Sequence, residues 1–162
     1  MWNGQELSEK FETASGVKQG CILYPLLFSL YINDLHEYLE GGLQVGNLNI
    51  RILLYADDIV LISDEVNVLQ KMIKNLEIYC NHWNLEVNLA KSKIIVFRNG
   101  GRLANHEKWI FNGEEIEIVN EYCYLGMILT PKCVFTKHVA KRISSAKNCI
   151  NSTWSNFFEK RI

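Results

Sequence analysis

The stretch IRILLYADDIVLI, from Ile50 to Ile62, decides the fold of this chain. Two runs rich in aliphatic side chains, residues 48–54 and 59–62, flank Tyr55-Ala56-Asp57-Asp58. Apolar runs separated by a short polar tip are typical of a β-hairpin. We therefore predict that residues 50–54 pair antiparallel with residues 59–62, leaving both carboxylates at the turn.

Helices and strands alternate around this hairpin without a regular repeat. Apolar residues at helical spacing predict helices over residues 25–40, 66–83 and 137–158. Residues 93–97 and 122–129 are predicted strands, and Asn112-Gly113 predicts a second hairpin joining residues 109–111 to 115–118. This order favours an α+β fold. The apolar helix stripes are expected to form the core, including that of the last helix: Val139, Ile143, Ala146, Ile150, Trp154 and Phe157.

Composition places the chain among globular proteins. Of its 162 residues, 48% are hydrophobic and 22% charged, which is enough apolar material for one domain. No apolar run is long enough for a membrane span, and the first twenty residues lack the apolar segment of a secretory signal. The five cysteines form no C-x-x-C pair, and nothing near Cys80 and His82 completes a zinc site. We therefore expect an intracellular protein with reduced thiols.

The charges are unevenly distributed along the chain. Residues 1–89 carry 5 Lys/Arg and 12 Asp/Glu, a net −7, whereas residues 90–162 carry 12 Lys/Arg and 6 Asp/Glu, a net +6. A basic segment behind an acidic one is compatible with a phosphate-rich partner. A solvated helix face explains the same charges without any partner.

Asp57 and Asp58 are the first residues that indicate chemistry. Adjacent carboxylates raise one another's pKa unless a cation compensates them. Mg²⁺ prefers oxygen ligands and is usually held by one or two carboxylates together with substrate phosphates. A lone Asp-Asp is common by chance, and its simplest interpretation is a solvated turn. Between two apolar strands the pair favours a metal role.

Four segments together resemble the conserved boxes of one family. Tyr55 to Asp58 resembles the Tyr-x-Asp-Asp box of reverse transcriptases, in the Ala form frequent among non-LTR retrotransposons. Residues 15–28, SGVKQGCILYPLLF, resemble the G-x-x-Q-G-x-x-x-S-P-x-L-F box. Residues 83–93, WNLEVNLAKSK, resemble the N-x-x-K-T box, and residues 124–128, YLGMI, the Y-L-G primer-grip box. The four boxes follow the family order over about residues 11–130.

The resemblance implies a fold and an activity. Residues 11–130 would form a partial polymerase palm, an antiparallel sheet with the catalytic hairpin and helices on one face. Residues 131–162 would form a basic, thumb-like helical segment. The implied reaction is RNA-directed DNA synthesis, adding deoxynucleoside triphosphates to a DNA primer on an RNA template by two-metal phosphoryl transfer. Asp57 and Asp58 would hold Mg²⁺ or Mn²⁺.

The resemblance also assigns roles to further residues. Gln19, Gly20 and Tyr55 would contact the incoming nucleotide and template, and Lys91 would lie near the departing pyrophosphate, while Asn88 shapes its loop. The primer grip would be Tyr124, Leu125 and Gly126, and the nucleic-acid backbone would be held by Lys137, Lys141, Arg142 and Lys147. Without the resemblance, Gln19-Gly20 is equally a turn before a helix and Lys91 a solvated loop lysine.

Three departures from the family pattern limit these expectations. Tyr24 stands where the family has Ser, and Ser92 where it has Thr. No Asp precedes Gln19, although the family's first metal-binding Asp lies upstream of that box, and neither Asp34 nor Asp64 can replace it.

We therefore expect an enzyme-family fragment that lacks the fingers and is inactive alone, with a nuclear location expected from the family. A non-catalytic nucleic-acid-binding remnant and a relic without function are the alternatives, and Met1 fits both a start codon and a gene-model boundary.

Overall fold

The computed structural model describes residues 22–101 and 107–158. Its helices are α1 (Tyr24–Tyr31), α2 (Leu35–Tyr38), α3 (Val66–His82) and α4 (Thr136–Phe158). Its strands are β1 (Leu43–Val45), β2 (Leu48–Ile50), β3 (Ile52–Tyr55), β4 (Asp58–Leu61), β5 (Ile110–Phe111), β6 (Glu114–Glu115), β7 (Tyr122–Tyr124) and β8 (Met127–Leu129). The mixed α+β composition is confirmed.

Antiparallel hairpins supply all eight of these strands. Each strand pairs only with its neighbour along the chain, giving β1–β2, β3–β4, β5–β6 and β7–β8. Within the described ranges these hairpins do not join into the one antiparallel sheet that the sequence predicted. A single isolated bridge, between Ile94 and Ile118, adds a parallel contact.

The hairpin predicted around the two carboxylates is confirmed. Ile52 faces Leu61, Leu54 faces Ile59, and Tyr55 faces Asp58 at the end of the ladder. The run 48–54 nevertheless divides, because residues 48–50 pair with β1 as β2. The break falls at Arg51, whose guanidinium donates to the carbonyl of Leu39 at 2.9 Å.

Helix α3 organises the core, as its stripe predicted. Met72, Ile73, Leu76, Tyr79 and Cys80 are buried along one side of it. They pack with α2 and with the β5–β6 region through Leu35, Leu39, Trp109, Phe111 and Ile116. Side chains from β3 and β4, namely Ile52, Ile59 and Leu61, pack against the same cluster. The core therefore fixes the base of the carboxylate hairpin.

Three predicted elements are wrong in detail. Residues 25–40 form two helices because the chain turns at Asn33 and Asp34, where the Asp34 carboxylate accepts a hydrogen bond from Tyr79 at 2.6 Å. Residues 122–129 form a hairpin rather than one strand, since Leu125 and Gly126 take φ angles of 46° and 80°. Residues 93–97 form no strand, because Ile94 alone pairs, with backbone bonds to Glu117 and Val119.

The β5–β6 hairpin and the two long helices follow the sequence more closely. Asn112 and Gly113 form the β5–β6 turn, with φ angles of 49° and 81°, although the strands are shorter than predicted. Helix α3 begins at Val66 after a bend at Asp64 and has no side-chain cap. No helix in residues 22–101 and 107–158 is long and apolar enough to cross a membrane.

The apolar stripe of α4 corrects a prediction of core packing. Val139, Ile143, Ile150 and Trp154 are between 51% and 66% exposed, and Ala146 is exposed as well. Phe157 lies outside the described side chains. The helix instead contacts β8.

Candidate active site

The β3–β4 tip presents two adjacent carboxylates to solvent. Asp57 lies in the turn and Asp58 opens β4 opposite Tyr55, and all three side chains are exposed. Ala56 takes φ 51°, a left-handed conformation that costs an L-residue roughly 1–2 kcal/mol. The four cross-strand pairs and the packing of Ile52 and Leu61 on the core hold this tip in place.

Neither carboxylate has a cationic partner in the described part of the chain. The ion pairs there involve other residues, and no Lys or Arg lies within bonding distance of Asp57 or Asp58. Two uncompensated carboxylates at one tip form an oxygen donor set suited to a hard divalent cation. Residues 22–101 and 107–158 contain no group of three metal-ligating side chains.

Lys91 lies in a loop that Asn88 shapes, as predicted. The Asn88 side chain accepts a hydrogen bond from the Lys91 backbone N–H at 3.1 Å. The backbone carbonyl of Asn88 accepts one from the Ser92 hydroxyl at 2.9 Å. The Tyr122 hydroxyl donates to the Lys91 carbonyl at 3.2 Å, which ties the loop to β7. The Lys91 side chain is exposed, and no hydrogen bond or ion pair joins it to Asp57 or Asp58.

The β7–β8 turn and α4 form one connected unit. The Arg142 guanidinium donates to the carbonyl of Gly126 at 2.8 Å. The backbone N–H of Ile128 donates to His138 Nδ1 at 3.3 Å, and Lys137 pairs with Glu121 at 2.7 Å. Leu125, beside the bonded glycine, remains half exposed. The primer-grip candidates are therefore positioned by side chains of α4.

These contacts separate the four basic residues proposed to bind the nucleic-acid backbone into two that have a partner among the described residues and two that do not. Lys137 and Arg142 already bind Glu121 and Gly126. Lys141 and Lys147 are exposed and have no ion-pair partner among residues 22–101 and 107–158.

A cleft of about 650 Å³ lies where the 96–101 segment meets the turn before α4. Its walls include Val96, Ile118 and Pro131, and Lys132 and Lys137 line it as well. Lys137 is the candidate site residue found in its lining. The cleft is therefore separate from the carboxylate tip.

Sequence reasoning missed a polar contact behind the site. Tyr79 is fully buried on α3, and its hydroxyl donates to Asp34 between α1 and α2. Burial, followed by this hydrogen bond, raises the pKa of Tyr79 above its ordinary value. The sequence signal was a tyrosine within the apolar stripe of a helix, because a buried hydroxyl requires a partner.

Helix α3 also holds the β5–β6 hairpin through polar side chains. The Gln70 amide both donates to the Ile110 carbonyl at 2.9 Å and accepts from its N–H at 2.8 Å. Glu77 accepts from Lys74 and from the backbone N–H of Asn112, and these bonds lower its pKa.

Gln19 and Gly20 lie outside the described residues.

The geometry defines a mixed α+β protein that presents a carboxylate pair on a hairpin anchored in its core. Residues 1–129 match the family described as reverse transcriptase (RNA-dependent DNA polymerase). The chain belongs to this family, and its relatives are of the non-LTR retrotransposon type.

Three relatives illustrate this similarity. The chain is 30% identical over 144 residues to the RNA-directed DNA polymerase from mobile element jockey of Drosophila funebris, covering 85% of this chain and 15% of the relative. It is 26% identical over 144 residues to the probable RNA-directed DNA polymerase from transposon X-element of Drosophila melanogaster, covering 82% of this chain and 15% of that protein.

Over 86 residues the chain is 36% identical to the retrovirus-related Pol polyprotein from type-2 retrotransposable element R2DM of Drosophila melanogaster. This match covers 52% of this chain and 8% of the relative. The chain thus spans about 15% of the length of the first of these relatives. No solved structure matches it.

Proposed function

We propose that this chain carries the catalytic carboxylates of an RNA-directed DNA polymerase, within a partial palm over residues 11–130. The observation that supports this proposal is the exposed Asp57-Asp58 pair at the tip of a core-anchored hairpin. Residues 131–162 would begin a thumb. The jockey and X-element relatives are RNA-directed DNA polymerases by name, and the substrates proposed here are an RNA template, a DNA primer and deoxynucleoside triphosphates.

Asp57 and Asp58 would hold the divalent ions of this reaction. Bound Mg²⁺ or Mn²⁺ would activate the primer 3′-hydroxyl and neutralise charge on the triphosphate. The chain's own contribution is placement, because the hairpin is held at its base by Ile52, Ile59 and Leu61. The exposed Tyr55 ring, opposite Asp58, would contact the incoming nucleotide together with Gln19 and Gly20.

Lys91 would act on the departing pyrophosphate, and the β7–β8 turn would act on the primer strand. The exposed Lys91 ammonium would donate a proton to, or stabilise, the departing pyrophosphate. Tyr124, Leu125 and Gly126 would position the primer strand. Tyr122 bonds to the Lys91 loop from β7, so these two regions are mechanically connected.

Manganese titration of the labelled chain tests the metal site. Mn²⁺ should broaden the amide resonances of residues 55–59 selectively, and adding a deoxynucleoside triphosphate should strengthen the effect, since phosphate oxygens complete the donor set. The Asp57→Asn/Asp58→Asn variant should lose the effect, whereas Asp64→Asn, at the bend after the far end of β4, should retain it. Equal broadening in the double variant would refute the proposed metal role.

A second candidate function is a nucleic-acid-binding protein without catalysis. The observation that favours it is the exposed pair Lys141 and Lys147 on α4. Salt-dependent binding to an RNA–DNA hybrid, with no manganese effect at residues 55–59, would select this function over polymerase chemistry.

A further inference from the structure

The side chain of His138 accepts a hydrogen bond that the ladder of the β7–β8 hairpin leaves unmade. Strand β8 pairs only with β7 in the described part of the chain. Tyr124 and Met127 flank a two-residue turn, so they exchange both backbone hydrogen bonds. The next pair, Cys123 and Ile128, therefore directs its N–H groups away from the ladder. The Ile128 N–H donates to His138 Nδ1 on α4 at 3.3 Å.

This bond exists only while His138 is neutral. A backbone N–H can be accepted only by an imidazole nitrogen that carries a lone pair, and both ring nitrogens of a protonated histidine are donors. Protonation therefore sets two donors against each other, the Ile128 N–H and the His138 Nδ1–H. Because Ile128 is 6% exposed, water has little access to replace the lost acceptor, and a buried N–H without a partner is costly.

His36 has the opposite arrangement and provides a contrast within the chain. Its Nδ1 lies 2.8 Å from the backbone carbonyl of Asn33, which can only accept, so Nδ1 must donate. A protonated His36 donates from the same nitrogen, and its bond survives protonation. Of these two histidine bonds, the one at His138 is therefore the bond that depends on pH.

The other groups at this junction keep their charge where histidine changes its own. Arg142 donates to the Gly126 carbonyl, and Lys137 pairs with Glu121. The further titratable side chains of β7, of the first two turns of α4 and of the turn before it are Tyr122, Cys123, Tyr124, Lys132, Cys133 and Lys141. Between about pH 5 and 8, lysine and arginine ordinarily stay protonated, carboxylates stay ionised, and phenols and thiols stay largely neutral. Strand β8 carries no titratable side chain.

We propose that His138 is a pH-sensitive positioning residue, which holds Ile128 of the β7–β8 hairpin to α4 when neutral and releases it when protonated. Histidine ordinarily changes charge between about pH 5 and 8. The bond is therefore complete at the alkaline end of this range and is lost as the pH falls through it. Arg142 keeps its bond to Gly126, so acid removes one of two attachments. This switch does not depend on polymerase function, whereas its effect on a primer at the β7–β8 turn rests on the proposed function.

Hydrogen exchange of the Ile128 amide in the 162-residue chain tests the switch. Its protection factor, which corrects for the intrinsic pH dependence of exchange, should fall about fivefold from about pH 7.5 to about pH 5.5, a factor equivalent to about 1 kcal/mol. His138→Asn should abolish this fall, because the amide oxygen of asparagine accepts at either pH. His36→Asn is the matched control and should retain it. A wild-type protection factor that does not change with pH, or the same fall in His138→Asn, would overturn the proposal.

A titration of the wild-type chain makes the test independent of the variants. In nuclear magnetic resonance spectra, the Ile128 amide proton and the His138 ring protons should shift with one common midpoint. An Ile128 amide that shifts with a different midpoint, or does not shift, would refute control by His138. Both measurements report a hydrogen bond, so their outcome is separate from that of the manganese titration at Asp57 and Asp58.

Discussion

Leu125 and Gly126 occupy a turn that is strained at one residue and crowded at the next. A Cβ on Gly126 would lie 2.6 Å from Arg142 Nη2, whereas a Cβ on Gly113, in the equivalent position of the β5–β6 turn, would meet nothing within 4 Å. The two glycines have φ angles of 80° and 81°, so the backbone cost of alanine is the same at both.

We predict that Gly126→Ala destabilises the chain more than Gly113→Ala. Both should lose roughly 1–2 kcal/mol for the left-handed backbone. Gly126→Ala should lose about 1 kcal/mol more, because it displaces the hydrogen bond from Arg142. Urea denaturation measures the difference, and the excess should vanish in an Arg142→Ala background. Equal losses for the two glycines would mean that the Arg142 contact adds nothing to stability.

Tyr79 gives the fold a dependence on alkaline pH. Its raised pKa means that the folded state keeps the phenol protonated where the unfolded chain would ionise. The stability from this group is therefore complete below about pH 10, the ordinary value, and falls as the pH rises above it.

Tyr79→Phe should flatten that alkaline fall and lower stability at neutral pH by about 1–3 kcal/mol, since Asp34 loses its buried donor. Tyr24→Phe, which changes an exposed tyrosine, should do neither. The free energy of unfolding as a function of pH, from urea denaturation, gives both results. A pH profile unchanged by Tyr79→Phe would show that the hydroxyl is accessible to water.

At the scale of elements, α3 and α4 show what a periodic pattern can predict. Both helices were predicted from the same spacing of apolar residues, and both were confirmed. The pattern also predicted burial, which is correct for Met72 and Ile73 but wrong for Ile143 and Ile150. Periodicity reports that one side of a helix is apolar, and it does not identify what covers that side.

Strand predictions fail where local conformation decides the pairing. Leucine has a low intrinsic preference for the left-handed φ that Leu125 adopts. The sequence Tyr-Leu-Gly therefore does not predict a turn, whereas Asn112-Gly113 does. Residues 93–97 have β-branched composition, yet within the described ranges Ile94 alone among them forms a β-bridge, to Ile118. Strand pairing is a tertiary property that composition does not contain.

Helix α4 also allows a prediction about nucleic acid. Because Lys137 and Arg142 are engaged with Glu121 and Gly126, Lys141 and Lys147 should carry the phosphate contacts. The chain should bind an RNA–DNA hybrid weakly, without sequence preference, and more weakly as salt increases. The double variant Lys141→Ala/Lys147→Ala should reduce the slope of log affinity against log salt by roughly 1–2.

Lys71→Ala is the control for this measurement, because Lys71 is an exposed lysine that belongs to α3 and not to the basic segment. It should leave both affinity and salt slope unchanged. Fluorescence anisotropy at several salt concentrations provides the comparison. Binding that is independent of salt, or equal effects of the α3 and α4 lysines, would contradict a phosphate contact by α4.

For the molecule as a whole, the sequence predicted the carboxylate hairpin better than the contacts around it. The motif containing Asp57 and Asp58 forms a hairpin with both residues at its tip, as predicted, because two apolar strands around a short polar tip have few alternatives. The connection between Lys91 and β7 was not predictable, since it depends on a single tyrosine hydroxyl thirty-one residues away. Contacts of that range follow from the packing of elements and not from any local pattern.

Polymerase activity depends on metal ligands that converge on the reacting groups from several sides. Two-metal transfer needs oxygen ligands that bring both ions to the 3′-hydroxyl and the triphosphate together. Asp57 and Asp58 supply ligands from one hairpin tip, and residues 22–101 and 107–158 add no third ligand there. Mg²⁺ gives up its waters reluctantly, so this partial set should bind it weakly.

A polypeptide of these 162 residues should therefore not extend a DNA primer on an RNA template with Mg²⁺. Incorporation of labelled deoxynucleotide measures this, with the Asp57→Asn variant as the background reference. If extension requires Mg²⁺ and disappears in Asp57→Asn, the prediction is wrong, and another carboxylate must complete the site. Repeating the assay across protein concentrations would then separate the two sources of that ligand. Activity proportional to concentration would assign it to the same chain, and activity rising with a higher power would assign it to a second copy.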